Sequence, residues 1–212
     1  MVRLLTIHKI AITLFVGLTL IYSFQGFYPQ SMAYFSNAFP PFIAGAAVIS
    51  SGFALKKYGR NLKQRFSLVW LCFTLGMLFW FLGEAGWAFY TLALGVEIPY
   101  PSIADVFWLT GYIPFFIALC LYVKMFWSVL SMQIIGAASL IALILGIIVF
   151  ATLMTPIFGS EEDLITMIVD FAYPLLDVVL FSTSVLGLAV FIKGNLGKSW
   201  LLITAGILAD VS

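Results

Sequence analysis

Charge is what this sequence lacks most. Of its 212 residues, 9% are charged and 63% are hydrophobic, whereas roughly 25% of an average soluble domain is charged. The mean hydropathy is +1.13. A soluble fold cannot bury that much apolar surface, so the sequence predicts a protein whose solvent is the lipid bilayer. The net charge of +1 leaves no basic field for nucleic acid, which we do not expect as a partner.

Histidine and cysteine are also scarce, and their scarcity excludes several kinds of chemistry. His8 is the single histidine, and Cys72 and Cys120 lie in separate apolar runs, which is typical of small buried hydrophobes rather than a disulfide. They form no cluster for zinc, copper, haem or iron–sulfur, and no Ser-His or Cys-His pair. Glycine-rich phosphate and dinucleotide motifs are absent too. We therefore expect no cofactor, no metal and no catalytic activity.

Long apolar runs dominate what is present. Residues Ile10 to Leu55 include 46 positions without a formal charge, and one helix of that length would measure about 69 Å, roughly twice the hydrocarbon core. We therefore place a break at Tyr28-Pro29-Gln30. The sequence predicts an all-α, polytopic membrane helix bundle that forms one transmembrane domain over residues 1–212. Its seven helices are predicted at Ile10–Tyr28, Tyr34–Leu55, Phe66–Tyr90, Ala104–Val123, Met132–Thr155, Leu164–Ile192 and from Ser199 onward.

The two ends of the chain need separate interpretation. Basic residues before the first apolar run are typical of a secretory signal peptide, but the run is long for one, and we interpret it as the first transmembrane helix. At the other end, the 14 residues from Ser199 to Ser212 form about 21 Å of helix against a core of about 30 Å. We expect the chain to continue beyond Ser212.

The charges predict how the helices are oriented. By the positive-inside rule, the side that collects the basic residues is cytoplasmic, and the N-terminus lies on it. The protein is expected to be an integral, multi-pass protein of a prokaryotic plasma membrane, with the lipid bilayer as a partner. The ten basic residues on that side are Arg3, Lys9, Lys56, Lys57, Arg60, Lys63, Arg65, Lys124, Lys193 and Lys198. The acids on the other side are Glu97, Asp105, Glu161, Glu162 and Asp163.

In three of the predicted helices, the second, fourth and sixth, a proline is preceded within two residues by an aromatic residue. The prolines are Pro40, Pro114 and Pro174. Three kinks at a similar depth could open the outer halves of the bundle into a cavity, or could serve packing alone. An offset of about 134 residues also relates the second and third helices to the sixth and seventh, and both a duplication and a chance similarity remain open.

Four acids lie inside the predicted spans, where an ionised carboxylate costs at least ~2.5 to 3.5 kcal/mol and needs a partner. On the sixth helix, Asp170, Tyr173, Asp177 and Ser184 share one face at helical spacing. Depths counted along the helices predict a cluster of Tyr112, Asp170, Tyr173 and Asp210, with Glu84 and Asp105 above it and Asp177 deeper. This cluster could share protons or bind a cation, or it could only join the helices through hydrogen bonds.

Two of the candidate residues also have simpler explanations. Trp80 and Trp87 lie on the helical face of Glu84, which is compatible with a small cation pocket or with an interfacial aromatic belt. Ser102 and Asp105 have the Ser-x-x-Asp spacing of an N-terminal helix cap. The complete set of candidate ligand- or ion-binding residues is Glu84, Asp105, Tyr112, Asp170, Tyr173, Asp177 and Asp210.

Several short motifs point to a known group of proteins. They are Leu-Gly-Glu-Ala-Gly-Trp from Leu82, Pro-Ser-Ile-Ala-Asp from Pro101, Gly-Tyr-Ile-Pro from Gly111 and Tyr-Pro-Leu-Leu-Asp from Tyr173. Between Gly76 and Asp210 the chain resembles the multi-span membrane sensory region that precedes diguanylate-cyclase domains in bacterial signalling proteins. The resemblance implies a membrane input module. Since no cyclase domain follows, signalling would need a separate output protein or further chain.

Three functions therefore remain open for the chain. The first is a sensory or accessory membrane module with an outward-facing acidic and aromatic cavity. The second is a small secondary transporter or proton- or cation-handling protein that uses Asp170 and Asp210. The third is a structural subunit of a larger membrane complex, with other membrane protein subunits as partners.

Overall fold

The computed structural model describes residues 13, 16–59, 61–154, 163–191 and 197–211, and at 129, 153, 154, 191, 197, 198 and 208–211 it describes the backbone alone. This part of the chain is helical and contains no strand, which confirms the all-α class. We label the helices in chain order. They are α1 (16–23), α2 (Pro29–Tyr58), α3 (Arg65–Ala88), α4 (Ile103–Met125), α5 (Met132–Val149), α6 (Leu164–Phe191) and α7 (Gly197–Val211). Wider π-helical turns at Phe89–Leu94 and Phe150–Met154 extend α3 and α5.

Five of these helices, α2 to α6, are long and apolar enough to cross a membrane. Large apolar side chains cover their outer surfaces: Phe42 on α2 is 76% exposed and Leu143 on α5 is 60% exposed. Such a surface requires a hydrocarbon solvent, so the chain is an integral membrane protein. The first and last of the seven predicted spans are not among the five. Part of the first lies outside the described residues, and α7 has 15 residues.

A break between the first two helices is confirmed, but it lies at residues 24–28 rather than at the predicted Tyr28-Pro29-Gln30. A 3-10 turn at Gln25–Phe27 separates α1 from α2. The predicted start of α2 at Tyr34 was wrong, because α2 begins at Pro29, which occupies the first turn. Proline is well tolerated there, since the first amides of a helix have no carbonyl partner within the helix.

The helices that line the interior are arranged as successive neighbours. α3 packs between α2 and α4, α4 packs on α6, and α6 also contacts α5 and α7. Within the described residues, α2 and α7 share no extensive contact. Glycines let some of these pairs approach closely: a Cβ at Gly83 would lie 2.4 Å from Trp108, and a Cβ at Gly187 would lie 2.0 Å from Trp200. The buried core centres on α4 and comprises Tyr112, Phe115, Leu119, Val123, Leu180 and Trp200.

Three helices that run in the same direction contain a proline at nearly the same position. Pro40 and Pro114 are the twelfth residues of α2 and α4, and Pro174 is the eleventh residue of α6. Each proline removes one backbone hydrogen bond from the helix interior. The three interruptions therefore lie at a similar distance from the helix starts. The predicted similar depth does not hold for Pro114 and Pro174, because α6 is shifted along α4.

Charged residues collect at opposite ends of the described helices. Lys56 and Lys57 end α2, Arg65 begins α3 and Lys124 lies in the last turn of α4; we call this the basic end. The other end holds the α3–α4 connection with Glu97, and the starts of α4 and α6; we call it the acidic end. The predicted separation of basic and acidic residues is thus seen in the described helices.

Candidate functional site

Tyrosine and aspartate side chains form three hydrogen-bonded pairs along α4 and α6. In each pair the tyrosine hydroxyl donates to the aspartate and the two residues come from different elements. The pairs, which we call the Tyr–Asp ladder, are Tyr100–Asp170, Tyr173–Asp105 and Tyr112–Asp177. The oxygen–oxygen distance is 2.8 Å from Tyr173 to Asp105 and 2.5 Å from Tyr112 to Asp177. The ladder therefore ties α6 to α4 and to the connection that precedes α4.

The innermost pair, Tyr112–Asp177, is buried in the apolar core. Asp177 is 8% exposed and Tyr112 is 3% exposed. The ring of Tyr112 lies 5.9 Å from Trp80 and 6.5 Å from Tyr173, centroid to centroid. Aromatic rings thus pack around Tyr112, whose hydrogen bond to Asp177 offsets part of the cost of burying that carboxyl group.

The middle pair combines a helix cap with an interhelical contact. Oδ2 of Asp105 accepts hydrogen bonds from the backbone N–H of Ser102 at 2.7 Å and from its hydroxyl at 2.9 Å. The Ser102 hydroxyl oxygen in turn accepts from the backbone N–H of Ala104 at 3.2 Å. The predicted cap is confirmed. Oδ1 of Asp105 is the acceptor for Tyr173, a role that the sequence spacing did not predict.

The outermost pair joins α6 to a residue that sequence reasoning missed. Asp170 accepts a hydrogen bond from Tyr100, which lies 70 positions earlier in the connection between α3 and α4. Helical periodicity cannot assign a partner in a connection. The one signal available was that Tyr100 directly precedes the Pro-Ser step of the α4 cap.

The predicted cluster is seen in part. The rings of Tyr112 and Tyr173 adjoin and Asp105 lies beside Tyr173, but Asp170 and Asp177 have other partners than the sequence predicted. Tyr112 pairs with Asp177, which was placed deeper, and Asp170 pairs with Tyr100. The prediction counted depth from each helix start, but Asp105, the third residue of α4, meets Tyr173, the tenth residue of α6. α6 therefore starts further out than α4, and the counted depths do not correspond. The side chain of Asp210 lies outside the described residues, so its predicted contact with Asp170 has no outcome here.

Glu84 belongs to a different feature, a cavity of about 530 Å³ lined by α2, α3, α4, α6 and α7. Of its fifteen described lining residues, Glu84 is the one with a formal charge, and the others are apolar. The volume falls within the usual range of ligand sites, about 300–1,000 Å³. This cavity differs from the predicted acidic one, because the carboxylates of the Tyr–Asp ladder do not line it.

The two tryptophans predicted to surround Glu84 have separate environments. Trp80 lines the cavity together with Glu84. Trp87 donates from Nε1 to the side-chain oxygen of Asn37 on α2 at 2.9 Å, and its ring lies 6.0 Å from that of Trp108. Trp87 therefore ties α3 to α2, and Trp80 alone of the two remains a candidate for ligand contact.

Among the described residues, no group of three or more His, Cys, Asp or Glu side chains is placed to hold a metal ion. Comparison of the chain with known protein families, with curated proteins and with solved structures gives no match in any of the three. The Tyr–Asp ladder and the cavity are therefore the two features of this chain that bear on its function.

Proposed function

We propose that this chain is a sensory or accessory module of the membrane that binds a small ligand in the cavity between α2 and α7 and passes the change to a partner protein. The observation that carries the proposal is the cavity itself. It is lined by both outer helices of the row α2–α3–α4–α6–α7, and these two helices share no extensive contact within the described residues. A ligand that contacts both would favour one separation of α2 and α7, which is what a population shift requires.

The Tyr–Asp ladder indicates which helices are held in place and which can move when a ligand binds. It joins α6 to α4 and to the connection before α4 by three hydrogen bonds. Interhelical hydrogen bonds of this kind stabilise membrane bundles modestly but define one register. The inner helices thus form a frame, and ligand binding would act mainly on α2 and α7.

Cavity-filling variants test the ligand-binding function. Ala47 lines the cavity, whereas its neighbour Ala46 is exposed, so Ala47→Phe and Ala46→Phe add the same side chain to different surfaces. In a thermal-shift screen of small apolar and amphiphilic compounds, ligands should stabilise the wild type and Ala46→Phe but not Ala47→Phe. Stabilisation that is equal in all three proteins would contradict the proposal.

The proposed orientation places the basic end in the cytoplasm, the N-terminus inside and the acidic end outside, because basic residues are retained on the cytoplasmic side. It is tested with single cysteines at exposed positions of the two ends, Lys63→Cys and Val96→Cys, in a background lacking Cys72 and Cys120. An impermeant maleimide should label Val96→Cys in intact cells and Lys63→Cys only after permeabilisation. The reverse pattern would overturn the orientation.

One observation favours a second function, handling of protons or small cations. The Tyr–Asp ladder leads from the half-buried Asp170 near the acidic end to the buried Asp177, and hydrogen-bonded carboxylates in membrane interiors often mark proton or ion pathways. Proteoliposomes would then show a pH-dependent flux that Asp177→Asn abolishes and that Asp163→Asn, at the start of α6, retains. Equal flux in Asp177→Asn and the wild type would exclude this function for the ladder.

A further inference from the structure

We infer that the ligand of the cavity is a lipophilic organic cation. This inference rests on the proposed ligand-binding function and narrows it to one chemical class. It depends on the acidic side chain in the cavity wall, on the aromatic residues of the same wall, and on where the cavity reaches the surface.

The charge of the wall is the first argument. Glu84 contributes a carboxylate, and none of the described lining residues is Lys, Arg or His. The described wall of the cavity therefore carries one acidic side chain, no basic side chain, and apolar residues elsewhere. Within the low dielectric of a membrane protein such a wall attracts a cation and repels an anion much more strongly than it would in water.

The aromatic residues of the wall also favour a cation over an anion. Phe73, Trp80 and Phe115 line the cavity with Glu84. Their rings adjoin one another, with centroids 6.2 Å apart both from Phe73 to Phe115 and from Trp80 to Phe115. The negative face of an aromatic ring attracts organic cations, and tryptophan does so most strongly. Trp80 precedes Glu84 by one helical turn on α3, and a carboxylate near an aromatic ring is a feature that recognises quaternary or delocalised cations.

The outer boundary of the cavity explains why the cation should be lipophilic. Ile43 on α2 and Leu202 on α7 line the cavity and are 53% and 71% exposed, so the cavity reaches the apolar outer surface between these helices. A ligand that enters there comes from the hydrocarbon phase. Its hydrocarbon part then lies against the aliphatic residues of α2 and α7, and its charge lies near Glu84.

Two probe ions of nearly the same shape and opposite charge provide the test. The full chain is placed in nanodiscs of uncharged phosphatidylcholine, and saturable binding of tetraphenylphosphonium and of tetraphenylborate is measured. The cation should bind with at least about tenfold higher affinity than the anion. Glu84→Gln should remove most of this preference, and Glu84→Asp, which retains the charge, should keep it.

Cavity variants separate failure of this inference from failure of the proposed function. Ala47→Phe should abolish saturable binding, and Ala46→Phe should bind as the wild type does. If both ions bind equally and both are lost in Ala47→Phe, the cavity is a binding site but the cationic class is wrong. If binding is indifferent to Ala47→Phe, or if neither ion binds, the inference is overturned, and indifference counts against the cavity as well.

Discussion

Tyr112, the tenth residue of α4, donates a hydrogen bond of 2.5 Å to Asp177, the fourteenth residue of α6, and both side chains are buried. The pair fixes how far α6 is shifted along α4. Because Asp177 is buried, water cannot replace the Tyr112 hydroxyl if that hydroxyl is lost. The contribution of the hydrogen bond to stability can therefore be measured by removing the Tyr112 hydroxyl alone.

Tyr112→Phe should lower the free energy of unfolding by about 1–2 kcal/mol, because Asp177 remains buried without its donor. Unfolding in mixed detergent micelles measures the change. Tyr34→Phe is the matched control, since Tyr34 is 67% exposed, and it should change stability by no more than about 0.5 kcal/mol. Equal losses in the two variants would show that the Tyr112 hydrogen bond contributes nothing specific.

Asp105→Ala should destabilise the protein more than Ser102→Ala. Loss of the Ser102 cap costs about 0.5–2 kcal/mol. Asp105→Ala leaves the hydrogen bond from Ala104 to Ser102 but removes the acceptor of the Ser102 N–H and hydroxyl. It also removes the acceptor of Tyr173, which adds about 0.5–1.5 kcal/mol. Detergent unfolding of the two variants and of Tyr173→Phe measures both contributions. If Ser102→Ala and Asp105→Ala have the same effect, the contact between α4 and α6 at Asp105 contributes no stability.

Gly187→Ala should separate α6 from α7. The added methyl group would lie 2.0 Å from the ring of Trp200, and overpacking of this kind costs about 1–3 kcal/mol. Gly136→Ala in α5 is the control, because no atom lies within 4 Å of its Cβ position, and there alanine should be neutral or stabilise by up to about 1 kcal/mol. Thermal unfolding of both variants tests the sign of each change in stability. Recovery of stability on adding Trp200→Leu to Gly187→Ala would identify the ring as the cause.

Asp163, at the start of α6, should make stability depend on acid pH. The hydroxyl of Thr166 and the backbone N–H of Ile165 donate to its carboxylate, and they hold the pKa of Asp163 below its ordinary value. A carboxyl whose pKa is lower in the folded chain stabilises that chain above the unfolded pKa of about 3.9 and loses the contribution as the pH falls through the folded pKa.

The measurement for Asp163 is the difference in melting temperature between the wild type and Asp163→Asn. The difference should be constant near neutral pH and shrink below about pH 4. A difference that stays the same down to the lowest pH at which the protein remains soluble would show that the hydrogen bonds to Asp163 do not favour its ionised form.

The sequence predicted the helices better than their mutual positions. Long apolar runs and rare charges mark the helices that are long enough to cross the membrane. They placed the starts of α3, α4, α5 and α6 within a few residues of the observed starts. The start of α2 at Pro29 was missed because the apolar run does not change composition there, and only the conformational preference of proline marks the boundary.

The sequence predicted five of the six residues of the Tyr–Asp ladder, all except Tyr100, but not which tyrosine pairs with which aspartate. The face of α6 that carries Tyr173 and Asp177 does point into the bundle, as the helical period required. Which tyrosine meets which aspartate depends on the shift between α4 and α6, and connection lengths and side-chain packing set that shift. For the same reason the sequence could not show that Glu84 faces a cavity apart from the other acids.

The prolines of α2, α4 and α6 have a mechanical consequence. Pro40, Pro114 and Pro174 leave the carbonyls of Ser36, Thr110 and Asp170 without the amide that would follow them one turn later in an uninterrupted helix. Stiffness is therefore lowered at one interior turn of each of these three parallel helices. Because α6 is shifted along α4, the weakened turns of these two helices lie at different depths, so a bend at one need not coincide with a bend at the other.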